Sequence, residues 1–173
     1  MNKILVAGIV FFLLGICQVA NAEDNSMSVT STAFKENQMI PREFTCQGNE
    51  VNPPLTIDNI PDKTETLALI NYDPDATKGI WDHWIVFNVP APKGKVFAVG
   101  KDSILGTAGK NSWSRTAYGG PCPPSGTHRY FFKVYALDTR LNLQEGASKE
   151  EIEAAMKEHI LAEAQLVGLY RKS

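Results

Sequence analysis

The chain has 173 residues, with 17 Lys and Arg against 19 Asp and Glu, a formal net charge of -2, and 43% hydrophobic residues. No stretch of Lys and Arg is dense enough to follow a phosphate backbone, which excludes a strongly basic nucleic-acid-binding protein. The apolar and aromatic content is sufficient for one sizeable core and excludes an acidic disordered chain. A single domain is therefore expected.

Residues 1–22 have the pattern of a secretory signal peptide. A cationic start precedes an uncharged apolar run at 4–16, and Ala20 and Ala22 place small residues at the two positions that a signal peptidase reads. The alternative, a membrane anchor, needs roughly 20 apolar residues, and this run is shorter. We therefore expect cleavage after Ala22, a mature domain of residues 23–173 without a membrane span, and a periplasmic or secreted location.

The cysteines indicate a disulfide. Cys17 lies in the signal peptide, where the bulky Ile16 before it argues against lipoprotein processing. Its removal leaves Cys46 and Cys122 in a chain exported to a compartment where disulfides persist. An even number of cysteines favours their pairing, and two separate buried thiols are the alternative.

Most of the regular elements predicted in the mature chain are strands. Short β-prone or apolar runs, bounded by Gly- and Pro-bearing loops, predict strands at residues 28–31, 54–57, 66–72, 83–89 and 130–137. Between the last two lie long loops, 90–100 and 101–127, which are rich in Gly, Pro, Ser and Asn. Loops of this length usually carry function.

One helix is predicted near the C-terminus. Ser148 and Glu151 form a capping box before apolar residues at helical spacing, and the helix is expected to end near His159 or Ile160. Residues 161–170 allow a longer helix, but 167–170 fit a closing strand better. The predicted architecture is one mainly β domain with a single helix.

Polar residues cluster where the predicted strands end or begin. Asp73-Pro74-Asp75 follows the third strand, Trp81-Asp82-His83 opens the fourth, and a Gly- and Pro-rich segment leads into His128-Arg129-Tyr130. Polar groups at strand ends, beside loops that expose backbone N–H groups, make a natural pocket for an anion or small ligand. We expect Asp73 in this pocket and Asp75 in a turn-forming role.

Three separated motifs together resemble the phosphatidylethanolamine-binding proteins, in particular their bacterial Raf-kinase-inhibitor-like branch. They are Asp73-Pro74-Asp75-Ala76, Trp81-x-His83, and Gly120-Pro121-Cys122-Pro123-Pro124 followed by His128-Arg129-Tyr130. The resemblance extends from about Ser28 to Tyr170.

This resemblance implies an antiparallel β-sandwich with Greek-key connections and an anion pocket at one end. The implied pocket residues are Asp73, His83, His128 and Tyr130, with a wall that includes Pro121 and Pro123. Implied ligands are phosphate-like anions, including phospholipid head groups, held by histidines acting as cations or donors. The resemblance also implies a possible kinase or protease partner, no cofactor and no metal, and a binding protein rather than an enzyme. Some exported members carry cysteines that match Cys46 and Cys122.

The sequence departs from the family pattern at two points. Thr77 replaces a frequent second proline, and animal members continue into a C-terminal helix beyond the closing strand, so a more open pocket is expected.

Three other interpretations are compatible with the sequence. Asp73, His83 and His128 fit a metal-assisted or acid/base hydrolase. Ser125 lacks a nucleophile signature and fits a turn. The third interpretation is a protease or kinase inhibitor that uses the pocket rim and residues 101–114.

Overall fold

The computed structural model describes residues 26–172, so the predicted signal peptide lies outside the described residues. The strands, in chain order, are β1 (Ser28–Thr30), β2 (Gln38–Met39), β3 (Leu55–Asp58), β4 (Thr66–Asp73), β5 (Trp81–Pro90), β6 (Phe97–Val99), β7 (Thr107–Ala108), β8 (His128–Leu137) and β9 (Ile160–Tyr170). A 3-10 turn spans Arg42–Phe44, and the α-helix α1 spans Lys149–Met156. No helix within residues 26–172 is long and apolar enough to cross a membrane.

The strands form two sheets. The smaller has the order β1-β3-β6, and the larger has the order β2-β9-β8-β4-β5-β7. Neighbouring strands are antiparallel except β2 and β9, which run parallel. All six strands predicted from the sequence are present, the closing strand as the end of β9. The short strands β2, β6 and β7 are additional, and β6 and β7 lie within the segments predicted as long loops.

The main core lies between the two sheets. Val29 and Leu55 of the smaller sheet pack in one cluster with Leu69 and Phe132 of the larger. The opposite face of the larger sheet is covered by α1, where Ile70 packs in a second cluster with Ile152. Because β4 is covered on both faces, its sequence is a nearly continuous apolar run instead of an alternating one.

Helix α1 begins as the sequence predicts. The Ser148 side chain accepts a hydrogen bond from the Glu151 N–H, and the Glu151 carboxylate accepts one from the Ser148 N–H. The predicted end at His159 or Ile160 is wrong, because the helix stops at Met156. Ile160 is instead paired with Leu137, so β9 begins seven residues before the predicted closing strand.

The predicted mainly β fold with one helix is confirmed. The finer description, a Greek-key β-sandwich, stays a prediction.

Candidate functional site

A cavity of about 290 Å³ opens where the ends of three central strands meet. Asp73 is the last residue of β4 and pairs with Trp81, the first residue of β5, while His128 is the first residue of β8. The cavity wall includes four residues predicted from the sequence, Asp73, His83, Pro123 and Tyr130. It also includes Trp81 of the Trp81-x-His83 motif, and Lys78 and Trp113, which the sequence analysis did not select.

A β-bulge aims His83 into this cavity. In the pairing of β4 with β5, Trp84 lies opposite Asn71 and Asp82 lies opposite Tyr72, so His83 has no partner on β4. An extra residue of this kind bends the strand and redirects a side chain. The His83 ring consequently meets the Tyr130 ring edge-to-face, with the ring centres 5.2 Å apart.

The hydrogen bond of His83 fixes which ring nitrogen is open to a ligand. Nδ1 of His83 lies 2.7 Å from the carbonyl oxygen of Gly119. A carbonyl only accepts, so Nδ1 carries the hydrogen and Nε2 is an acceptor in the neutral ring. Burial lowers the pKa of His83 from its ordinary value of 6.5, although the bond to Gly119 and the charge of Asp73 act in the opposite direction. His83 is therefore mainly neutral at pH 7 and becomes a cation only in acidic solution.

Asp73 is bonded on both carboxylate oxygens. Oδ1 accepts a hydrogen bond of 2.8 Å from the Asp75 N–H, which closes the turn after β4. Oδ2 lies 2.7 Å from Nδ1 of His128, and both residues are buried. His128 is not among the residues that line the cavity and contacts the site through Asp73, so its predicted role in anion binding stays a prediction.

Tyr130 presents a buried hydroxyl beside Asp73 and the backbone of Cys122. Within the described part of the chain, neither neighbour forms a hydrogen bond of standard geometry with it. Burial raises the pKa of Tyr130, and the negative charge of Asp73 raises it further. The hydroxyl therefore stays protonated and can donate a hydrogen bond to a ligand.

Asp75 ties the same turn to β8. Its carboxylate accepts hydrogen bonds from the Arg129 guanidinium at 2.7 and 3.0 Å and from the Arg129 N–H at 2.9 Å. These bonds lower the pKa of Asp75 to about 2. The sequence analysis gave Asp75 the turn-forming role, but Asp73 accepts the hydrogen bond within the turn.

A disulfide holds the proline-rich wall. The predicted bond between Cys46 and Cys122 is present, with a Cα–Cα distance of 5.5 Å, and Cys122 lines the cavity. Beside it, the Cys46 N–H donates to the carbonyl of Pro121 at 3.2 Å. Pro121 is buried and absent from the cavity lining, so it supports the wall from behind.

Trp113 is a wall residue that sequence reasoning missed. Its ring lies edge-to-face on His83, with the ring centres 5.0 Å apart, and its position depends on Gly119, where a Cβ atom would collide with the indole. Buried Asn111 orders this loop by accepting hydrogen bonds of 3.0 Å from the N–H groups of Trp113 and Arg115. The sequence signal that could have identified it was a tryptophan within the long predicted loop 101–127.

A mainly β fold whose central strands end at a small cavity with polar and aromatic walls is suited to ligand binding. The family model described as phosphatidylethanolamine-binding protein matches residues 30–171. The chain belongs to the phosphatidylethanolamine-binding protein family.

Individual relatives agree with this assignment. A UPF0098 protein of Methanothermobacter thermautotrophicus is 45% identical over 150 residues, which cover 84% of this chain and 99% of the relative. The crystal structure of a putative phosphatidylethanolamine-binding protein homolog from Chlamydia trachomatis superposes with a TM-score of 0.81 at 38% identity, covering 86% of this chain and 99% of the other. Escherichia coli YbcL, described as a new member of the mammalian family, has a TM-score of 0.77 at 28% identity, with the same coverage of both chains.

Proposed function

We propose that this protein is an exported binding protein, not an enzyme, whose cavity holds a phosphate-like anion. The observation that carries the proposal is the buried hydroxyl of Tyr130 on the cavity wall, which forms no hydrogen bond of standard geometry within the described residues although Asp73 and the Cys122 backbone lie beside it. A buried hydroxyl without a partner costs about 1–3 kcal/mol. A ligand oxygen that accepts its hydrogen removes this cost.

The charged groups of the cavity are compatible with an anion. Lys78 is the one Lys or Arg among the described lining residues. His83 adds a second positive charge when its ring is protonated. Asp73 would repel an anion, but both of its carboxylate oxygens already accept hydrogen bonds, from the His128 ring at 2.7 Å and from the Asp75 N–H at 2.8 Å.

The volume and the aromatic wall limit the rest of the ligand. Small-molecule sites have volumes of roughly 300–1,000 Å³, so about 290 Å³ suits a phosphate group with a short organic substituent. Trp81 and Trp113 meet edge-to-face, 5.4 Å between ring centres, and offer an apolar surface to that substituent. A phospholipid head group has this chemistry, and its acyl chains would stay outside the cavity.

Calorimetric titration with inorganic phosphate and with phosphoethanolamine tests the anion site. Tyr130→Phe removes only the buried hydroxyl, and we expect it to weaken binding by about tenfold. The matched control is Tyr72→Phe, because Tyr72 stacks on Phe131 and does not line the cavity. No binding of either ligand from about pH 5 to 8, or equal binding by both variants, would make the assignment wrong.

The enzyme alternative has a separate test. No group of three or more His, Cys, Asp or Glu side chains within residues 26–172 is arranged to hold a metal ion. In particular, Nδ1 of His83 is bonded to Gly119 and Nδ1 of His128 to Asp73. Turnover of a phosphoester that a chelator abolishes would favour the metal-assisted hydrolase over the binding protein.

Export and regulation of a partner complete the proposal. The signal peptide predicted at residues 1–22 and the disulfide between Cys46 and Cys122 both support a periplasmic or secreted location. The kinase or protease partner is carried over from the family resemblance. Inhibition assays with envelope proteases and kinases test it, and the absence of inhibition would restrict the function to binding a small ligand.

A further inference from the structure

A second and larger cavity, of about 530 Å³, is lined in part by Thr116, Ala117 and Tyr118. Its floor is apolar, formed by Trp84, Val86, Leu105 and Tyr118. None of the residues discussed above as lining the anion site contributes to it. This second cavity, called the groove below, is therefore separate from the proposed anion site.

The rim of the groove presents a fully exposed isoleucine on an ordered loop. Ile104 lines the groove and is 100% exposed. Buried Asn52 holds the loop, since its side chain donates to the Gly100 carbonyl at 2.9 Å and accepts from the Ser103 N–H at 2.8 Å. The two anchored residues directly precede Ile104 and β7 begins at Thr107, so Ile104 is displayed by a short ordered loop.

The rim of the groove is acidic, which favours a basic occupant. Glu50, Asp102 and Glu145 line the groove, and no Lys or Arg does so among the described lining residues. The adjacent Lys101 is bonded to Glu43 at 2.8 Å, outside the lining. An apolar floor with an acidic rim complements a chain that places a basic residue beside an apolar one.

We propose that this groove docks a segment of a partner protein in which Lys or Arg stands beside an aliphatic or aromatic residue. The apolar side chain packs on Leu105 and Ile104, and the basic group reaches Asp102 or Glu145. A protein segment fits better than a small cation because Ile104 extends the contact surface beyond the cavity. A second copy of this chain fits less well, because its net charge is -2.

Selection from a phage-displayed random peptide library on the immobilised mature protein tests the proposal. We expect the recovered peptides to combine Lys or Arg with an adjacent apolar residue and to bind more weakly as salt is added. Calorimetry with one recovered peptide should show about a tenfold loss of affinity for Ile104→Asp and for Glu145→Lys. Both altered side chains are exposed, so the variants are expected to fold.

Matched controls change the same residue types elsewhere on the surface. Val96→Asp alters another exposed aliphatic residue and Glu158→Lys another exposed glutamate, and neither lines the groove. We expect both to bind the peptide as the unaltered protein does. Recovery of no peptide, recovered peptides without basic residues, or equal binding by Ile104→Asp would overturn the proposal. A dimer in sedimentation that Ile104→Asp dissolves would assign the groove to a second copy instead.

Discussion

Asp73 and His128 form a buried pair in which Oδ2 and Nδ1 are 2.7 Å apart, and their side chains are only 5% and 10% exposed. The chain contains a second pair of the same two residue types, Asp138 and His159, at 2.8 Å, with side chains about half exposed. The two pairs have nearly the same geometry and differ in burial. A comparison of the two pairs therefore separates the contribution of burial to stability from the contribution of the hydrogen bond.

Removal of the histidine should cost far more stability in the buried pair. His128→Ala leaves the Asp73 carboxylate buried beside the cavity without its partner, and such a loss costs about 3–5 kcal/mol. His159→Ala leaves Asp138 in contact with water and should cost at most about 1 kcal/mol. Urea unfolding of both variants at pH 7 measures the difference. Equal losses would show that burial does not govern the Asp73–His128 pair.

The disulfide should stabilise the fold mainly through the unfolded chain. The 76-residue separation of Cys46 and Cys122 corresponds to about 4 kcal/mol in the loop-closure model, before any native-state effects. The double variant Cys46→Ser, Cys122→Ser should lose most of this free energy of unfolding. Thiol titration of the oxidised, denatured mature protein should find no free thiol, and two free thiols would contradict the bond.

Elements whose signal is local were predictable from the sequence. The strands β4, β5 and β8 contain runs of apolar, β-branched and aromatic residues, and the capping box of Ser148 and Glu151 marks the start of α1. The first half of β9 was not predicted, because Ala162, Glu163 and Ala164 favour a helix in isolation. Pairing of these residues with β8 overrides that preference.

The candidate site was predictable as a group of residues, not as a geometry. Asp73, His83 and Tyr130 stand at strand ends, which the sequence pattern locates. The bulge that turns His83 into the cavity depends on the register of β5 against β4, which no local pattern encodes. The position of His128 beside Asp73 likewise depends on a contact between residues 55 positions apart.

Cleavage of the signal peptide is a prediction about residues outside the described part of the chain. We expect the mature protein to begin at Glu23, because Ala20 and Ala22 suit the peptidase. Intact-mass measurement on the envelope fraction identifies the first residue. A lipid adduct on Cys17 would show lipoprotein processing, and an uncleaved chain would favour a membrane anchor.

A methyl group at Gly119 should disturb the aromatic wall of the cavity. The added Cβ of Gly119→Ala would collide with the Trp113 ring, so the ring must move and its edge-to-face contact with His83 must change. We expect weaker phosphate binding, by about tenfold, together with a shifted tryptophan emission spectrum. Gly94→Ala is the control, because nothing lies within 4 Å of its added Cβ. Unchanged phosphate binding by Gly119→Ala would remove Trp113 from the proposed site.

His83 should make the protein less stable as the solution becomes mildly acidic. Burial holds the pKa of His83 below its ordinary value of 6.5, so the unfolded chain takes up the proton at a higher pH than the folded chain does. The contribution of His83 to the free energy of unfolding is therefore nearly constant above pH 6.5. It falls as the pH drops from 6.5 towards the lower pKa that His83 has in the folded chain. A bound anion favours the protonated ring and should bind more tightly over the same fall in pH.

The variant His83→Asn isolates this effect, because its amide N–H can still donate to the Gly119 carbonyl but does not titrate. We expect its urea unfolding between about pH 5 and 7 to show a smaller loss of stability than the unaltered protein, with the difference vanishing above pH 7. Sulfate, whose charge is constant over this range, should bind the unaltered protein more tightly at the acidic end and show a weaker pH dependence with His83→Asn. Parallel stability curves for the two proteins would contradict the lowered pKa of His83. Sulfate binding with the same pH dependence in both would show that another group supplies the positive charge.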